Sequence, residues 1–244
     1  RQAAIELQRL LDERVAERTA WPPGVSRPAD AHRLSPPHDA SRYDGAYYWR
    51  TEARTRYAFQ PMAAHLAGTF RPARVLDVAC GMAFLIKWLR NYGVRAYGCD
   101  HSQFAVEHAS EPRYLAPGGL DVRAYLQRAS AQNLPYADDS YDLVSCLDLL
   151  EHLEVPDAVQ AFRELERVTS RFLFMIITVH DEPDPDLILP KGSKGDPTHV
   201  TVAGEALWRK KIATHTRLTQ RPDLEERARR DLGNILPWTF FIYE

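Results

Sequence analysis

Apolar positions in residues 2–18 (Ile5, Leu7, Leu10, Leu11 and Val15) fall near helical spacing and predict an amphipathic helix. Residues 21–41 carry several prolines, Pro22-Pro23 and Pro36-Pro37 among them, which a helix interior rejects. This stretch reads as a linker or an extended arm that wraps the body. A second helix is predicted over residues 49–66, ending at Gly68. Beyond it the texture changes to short apolar runs that alternate with helical stretches. Strands are predicted at 74–78, 94–99, 122–129, 141–147 and 172–179. Between them come a helix through Asn91 stopped by Gly93, another through Ala109, a turn at Pro117-Gly118-Gly119, and a helix at 155–168. A long polar loop, 180–198, precedes helices at 203–214 and 224–232 and a last strand within 238–243. The pattern places no sixth strand securely.

This alternation predicts an α/β fold: a Rossmann-like, doubly wound, mostly parallel sheet with helices on both faces and an N-terminal helical extension. The 244 residues suit one such domain, residues 43–244, behind a helix and proline-rich arm, residues 1–42. That arm is expected to cap the site or to swap between the subunits of a homodimer. A formal net charge of -2 argues against a nucleic-acid partner, which calls for a concentrated basic face. The runs Arg209-Lys210-Lys211 and Arg227-Ala228-Arg229-Arg230 read as solvated helix faces. No apolar run reaches bilayer length and no signal segment opens the chain, so the expectation is a soluble cytoplasmic protein with no membrane partner. Cys80, Cys99 and Cys146 lie in or beside predicted strands, without the short spacing of a metal knuckle, and read as free thiols.

The strongest chemical signal is Val75-Leu76-Asp77-Val78-Ala79-Cys80-Gly81-Met82-Ala83: an apolar strand ending in an acid, then a small-residue loop entering a helix. Small residues let the backbone approach a ligand, and the helix start offers free N–H groups. Asp77 discriminates between ligands. A carboxylate there would repel a pyrophosphate, and the G-x-G-x-x-G fingerprint of dinucleotide sites is absent. A cationic ligand would be welcome beside it. Asp100, ending the second strand, can accept both hydroxyls of a ribose or cap the helix that follows.

The run around Asp77 resembles the first motif of class I S-adenosylmethionine-dependent methyltransferases of the small-molecule type. It keeps Asp77 and Gly81 and has Ala79 and Ala83 where glycine is commoner; the DVACG string is similar to that of some small-molecule N-methyltransferases. The resemblance implies S-adenosyl-L-methionine as cofactor, with His101 bordering the adenine. The run Ser130-Ala131-Gln132-Asn133-Leu134-Pro135-Tyr136 resembles the adenine-side loop, with Ser130 where many members carry an acid; Ala131, through its backbone, and Gln132 are the implied contacts. The run from Cys146 to Leu153 resembles the motif after the fourth strand, which implies that Leu147 and His152 lie along the methionine part. In similar enzymes an N-terminal aromatic and an Arg reach over the cofactor. Arg54 is the first candidate to hold its carboxylate, ahead of Arg50, because a guanidinium pairs with it bidentately. Among Tyr43, Tyr47, Tyr48 and Trp49, some would close the site and most would be core.

Acceptor-side candidates lie at strand ends facing the cofactor: His180, Asp181 and His199. A histidine suits removal of a hydroxyl proton, and a carboxylate suits binding of an ammonium group. These three could instead ligate a divalent metal, but their spacing matches no specific pattern, so no metal is expected. The acid-rich loop from Asp181 to Asp186 suits a cationic or polyhydroxylated acceptor, such as an amino sugar or a natural-product intermediate, and equally a solvated loop. The leading expectation is methyl transfer to an O or N atom of a small polar metabolite. The alternatives are a tRNA or protein acceptor, aminopropyl transfer, or a cofactor-binding module without catalysis.

Overall fold

The computed structural model describes residues 43, 45–48, 56–111, 120–181, 188–189, 198–235 and 238–244. The predicted N-terminal helix, the proline-rich arm, Arg50, Arg54 and loop residues 182–187 lie outside them. Helix α1, Phe59–Phe70, leads into β1, Arg74–Val78; α2, Phe84–Asn91; β2, Arg95–Asp100; and α3, Gln103–His108. Then come β3, Leu126–Arg128; β4, Tyr141–Leu147; α4, Val155–Val168; and β5, Thr169–Ile176. A hairpin of β6, Ile188–Leu189, and β7, Val202–Ala203, precedes α5, Glu205–Ala213; α6, Pro222–Leu232; and β8, Phe240–Tyr243.

The main sheet has the order β3-β2-β1-β4-β5-β8, with every pair parallel except β5 and β8. The central strands read as near-continuous apolar runs because both faces are covered: Val75, Leu76, Leu143, Val144, Leu173 and Phe174 are fully buried. Helix α1 packs on α2 and α6, while α4 packs across β4 and β5. The chain winds outward from β1 through β2 to β3, then returns to β4 and moves the other way. The switch point between β1 and β4 leaves a crevice at the carboxyl ends of the strands, where open α/β sheets bind ligands.

Several predicted boundaries need correction; among them, the helix predicted from 203 starts at Glu205, because Ala203 pairs with Ile188 in the β6–β7 ladder. Helix α1 runs through Gly68 to Phe70, because Phe70 is drawn into the core against Phe172 at 4.9 Å, and the chain turns at Arg71 with φ 46. Strand β3 is shorter than predicted: residues Arg123–Tyr125 form a 3-10 turn, opened by Asp121 Oδ1 accepting from Arg123 N. Strand β5 starts at Thr169 and stops at Ile176; Thr178 N donates instead to Glu151 Oε1 at 2.9 Å. The predicted last strand is the sixth of the main sheet, β8, and an isolated bridge lies beyond it. Thr219 and Glu244 exchange backbone hydrogen bonds and Arg221 N donates to Ile242 O, an antiparallel bridge on the outer side of β8 centred on Gln220 and Tyr243.

One clamp holds the C-terminal elements. Arg209 on α5 donates from both terminal nitrogens to Glu225 on α6 at 3.0 Å, and Glu225 Oε1 also accepts from Ile242 N on β8.

Candidate functional site

A cleft of about 490 Å³ lies at the carboxyl ends of the strands, lined among others by Ala79, His101, Ala131, Gln132 and His152. Each comes from a different strand exit, as the topology requires: Ala79 follows β1, His101 follows β2, Ala131 and Gln132 follow β3, and His152 follows β4. Tyr43 also lines the cleft. Its ring stands edge-on to His101 at 5.0 Å and to His152 at 6.5 Å, and its carbonyl accepts from Ser102 Oγ. Tyr48, by contrast, is buried with Met82, Phe84 and Ala105 beneath the loop after β1.

That loop is held in a tight, strained path. Ala79, Gly81 and Ala83 all take left-handed backbone angles, φ 61, 49 and 58. Cys80 N donates to Cys99 O, and Gly81 N donates to Asp100 Oδ2 at 2.9 Å. Gly98 on β2 has no room for a side chain, since a Cβ would meet Ile86 at 2.2 Å and Cys80 Sγ at 2.9 Å. The loop therefore lies directly against the end of β2. Buried Lys87 fixes its far side by donating to Met82 O and Ala109 O.

Beneath Ala79 and His101 lie two buried carboxyls. Asp77 accepts from Ser145 Oγ at 2.7 Å, and burial, reinforced by Asp100, pushes its pKa up to about 7. Asp100 accepts from Gly81 N and Ser102 N, and burial raises its pKa too, against the lowering influence of His101 and those N–H groups. Two buried carboxyls, both raised by desolvation and one of them further by the other, mark a place where a bound cation gains energy. Gln132 Nε2 is buried with no hydrogen-bond partner among the described residues, while its Oε1 accepts from Ser130 Oγ. Such an amide offers a donor to a purine nitrogen. Cation-favouring acids, a glycine-type loop and an amide donor together fit an adenosyl sulfonium.

The loop after β3 is anchored from behind by Arg167 on α4. It donates to Tyr136 O, Leu134 O, Asp138 and Glu164, so the loop's shape depends on a residue outside the cleft. Leu147 ends β4 half-buried. Of the acceptor-side trio, His199 is buried with its ring 4.6 Å from that of His152. His180 is buried against Gly204 through a parallel bridge, and Asp181 is exposed. Sequence reasoning missed Glu151. It is fully buried beside His152, and burial, reinforced by Asp148, pushes its carboxyl well above the usual range. The adjacent Glu-His pair is visible in the sequence, but its partner His199 is far along the chain.

Residues 75–171 match the methyltransferase-domain family. Methyltransferase GfsG of Streptomyces halstedii is 36% identical over 96 residues, 39% of this chain and 33% of that protein. A ubiquinone biosynthesis O-methyltransferase of Burkholderia vietnamiensis is 27% identical over 64% of this chain and 74% of its own length. This chain thus matches only a third of the first relative and most of the second. The magnesium protoporphyrin IX methyltransferase of Synechocystis, solved with bound SAH, shares the fold with a TM-score of 0.55 at 17% identity, over 84% of this chain and 96% of that one.

Proposed function

We propose that this chain is a class I S-adenosylmethionine-dependent methyltransferase, and that it methylates an oxygen or nitrogen of a small polar metabolite. The observation that carries this reading is the pair of buried carboxyls, Asp77 and Asp100, under a cleft at the sheet's switch point. S-adenosylmethionine, when bound, supplies an electrophilic methyl carbon on a positively charged sulfur. Asp100 keeps lone pairs beyond those filled by Gly81 and Ser102, and these suit ribose hydroxyls. We assign His101, Ala131 and Gln132 to the base, Ala79, Gly81 and Asp77 to the aminoacyl side, and Leu147 and His152 to the methionine chain. Arg54 is assigned to its carboxylate.

Methyl transfer is an in-line displacement, so positioning and charge placement supply most of the rate. A hydroxyl acceptor must also lose its proton. His199, whose ring lies 4.6 Å from that of the cleft-lining His152, is the residue we assign to that proton, with His180 and Asp181 toward the acceptor. The ubiquinone O-methyltransferase likeness favours oxygen. An amino sugar or natural-product intermediate is the acceptor class suited to the acidic residues that follow His180.

The test is a screen of small alcohols, phenols and amines with labelled cofactor, followed by mass mapping of the product. Methylation of RNA or protein with no small molecule turned over would sink the reading. Unchanged turnover in both His199→Ala and Asp181→Ala would remove those residues from the mechanism.

A further inference from the structure

Behind the cleft wall, donors from two separate segments converge. One donor atom each from Glu151, His152 and His199 lies within 4.8 Å of the other two, and all three residues are buried. Glu151 Oε1 accepts from Thr178 N, but Oε2 is buried with no hydrogen-bond partner among the described residues. An unmatched carboxyl oxygen in the interior is costly, and a cation would satisfy it. The segments are stitched together independently of these side chains. Glu151 O accepts from Val200 N and Thr201 N at 2.9 Å, and Thr201 Oγ1 donates to Leu153 O at 2.7 Å. Thr198 Oγ1 meets His152 Nδ1 at 2.9 Å, the outer hydrogen bond that orients a metal-ligating imidazole.

We propose that Glu151, His152 and His199 form a binding site for a divalent transition ion of the zinc or iron(II) type. Two imidazoles and one carboxylate suit such borderline ions, whereas magnesium and calcium favour oxygen donors. Bonds of about 2.0–2.2 Å bring tetrahedral donors to roughly 3.4 Å apart, so side-chain shifts of about 1 Å close the present spacing. Three protein ligands leave a position for a further one, and His152 lines the cleft, so the site adjoins it. An acceptor hydroxyl bound there would ionise near neutral pH, the task given above to the His199 ring. This last consequence rests on the methyl-transfer reading; the site itself does not.

The whole chain, cleared of metal with a chelator, is titrated with Co2+ while its visible absorption is followed. One equivalent is expected, with the intense bands of a low-coordinate site, and excess Mg2+ does not displace it. Glu151→Gln and His199→Ala are expected to weaken cobalt binding by about 100-fold or more, and Thr198→Val by about 10-fold, in proteins that still bind S-adenosylhomocysteine. Should Glu151→Gln fail to fold, Thr198→Val carries the decision. A wild-type chain that binds S-adenosylhomocysteine and takes up no cobalt, or variants that hold cobalt undiminished, overturn the site and leave methyl transfer standing. A chain that binds cobalt in the expected pattern but no S-adenosylhomocysteine overturns the methyl-transfer reading and leaves the site intact.

Discussion

Ala79 and Ala83 occupy backbone angles that cost an L-residue roughly 1–2 kcal/mol, so the loop after β1 stores strain at the two places where glycine would be at ease. Ala79→Gly is expected to stabilise the fold by about 0.5–1 kcal/mol, after discounting the greater freedom of glycine in the unfolded chain. Urea unfolding measures it, and a loss of stability would show that the methyl group of Ala79 matters more than its φ. Asp77 makes a prediction of opposite character. Its carboxyl keeps its proton up to about pH 7 in the fold, but ionises from the ordinary carboxylate range when unfolded. The unfolded chain therefore binds fewer protons in that window, and this group lowers stability as pH rises from about 4 to 7. Asp77→Asn should flatten the fall in Tm across those pH values. A cationic cofactor favours the carboxylate, so its binding should release a proton at pH 6 to 7, roughly speaking, and tighten as pH rises. Calorimetry in two buffers of different ionisation enthalpy reads that release, and identical heats would refute it.

Among the elements, the clamp of Arg209, Glu225 and Ile242 N ties α5, α6 and β8 together away from the cleft. Glu225→Ala leaves a part-buried guanidinium and a buried N–H without that partner, and should cost about 3–5 kcal/mol. Denaturant midpoints measure this, and a change under about 1 kcal/mol would mean Glu205 compensates. The sequence pattern located β1, β4 and α4 to the residue, because each combines an unbroken apolar rhythm with a clear stop. It failed where tertiary contacts overrode local signals: at Gly68, where a buried phenylalanine extends the helix, and at residues 177–179, where Glu151 competes for the backbone. Motif spacing brought His101, Ala131, Gln132 and His152 to the cleft, since each sits a fixed step beyond its strand. The convergence of Glu151 and His199 was illegible, because it depends on how residues 198–201 fold back on the turn after β4. No periodicity encodes such a return.

For the whole molecule, the cleft draws on the exits of β1, β2, β3 and β4, so a ligand filling it bridges both halves of the sheet. S-adenosylhomocysteine at 100 times its Kd should therefore raise global stability by about 2.7 kcal/mol, seen as a higher Tm in a thermal scan. An unshifted transition would mean that it does not bind the native state. The short bridge of Gln220 to Tyr243 has a wider bearing. By occupying the outer flank of β8 it denies that flank to a strand from another molecule, and β3 at the opposite end offers just three residues to a newcomer. Growth of one main sheet into the next across its two end strands is thereby disfavoured.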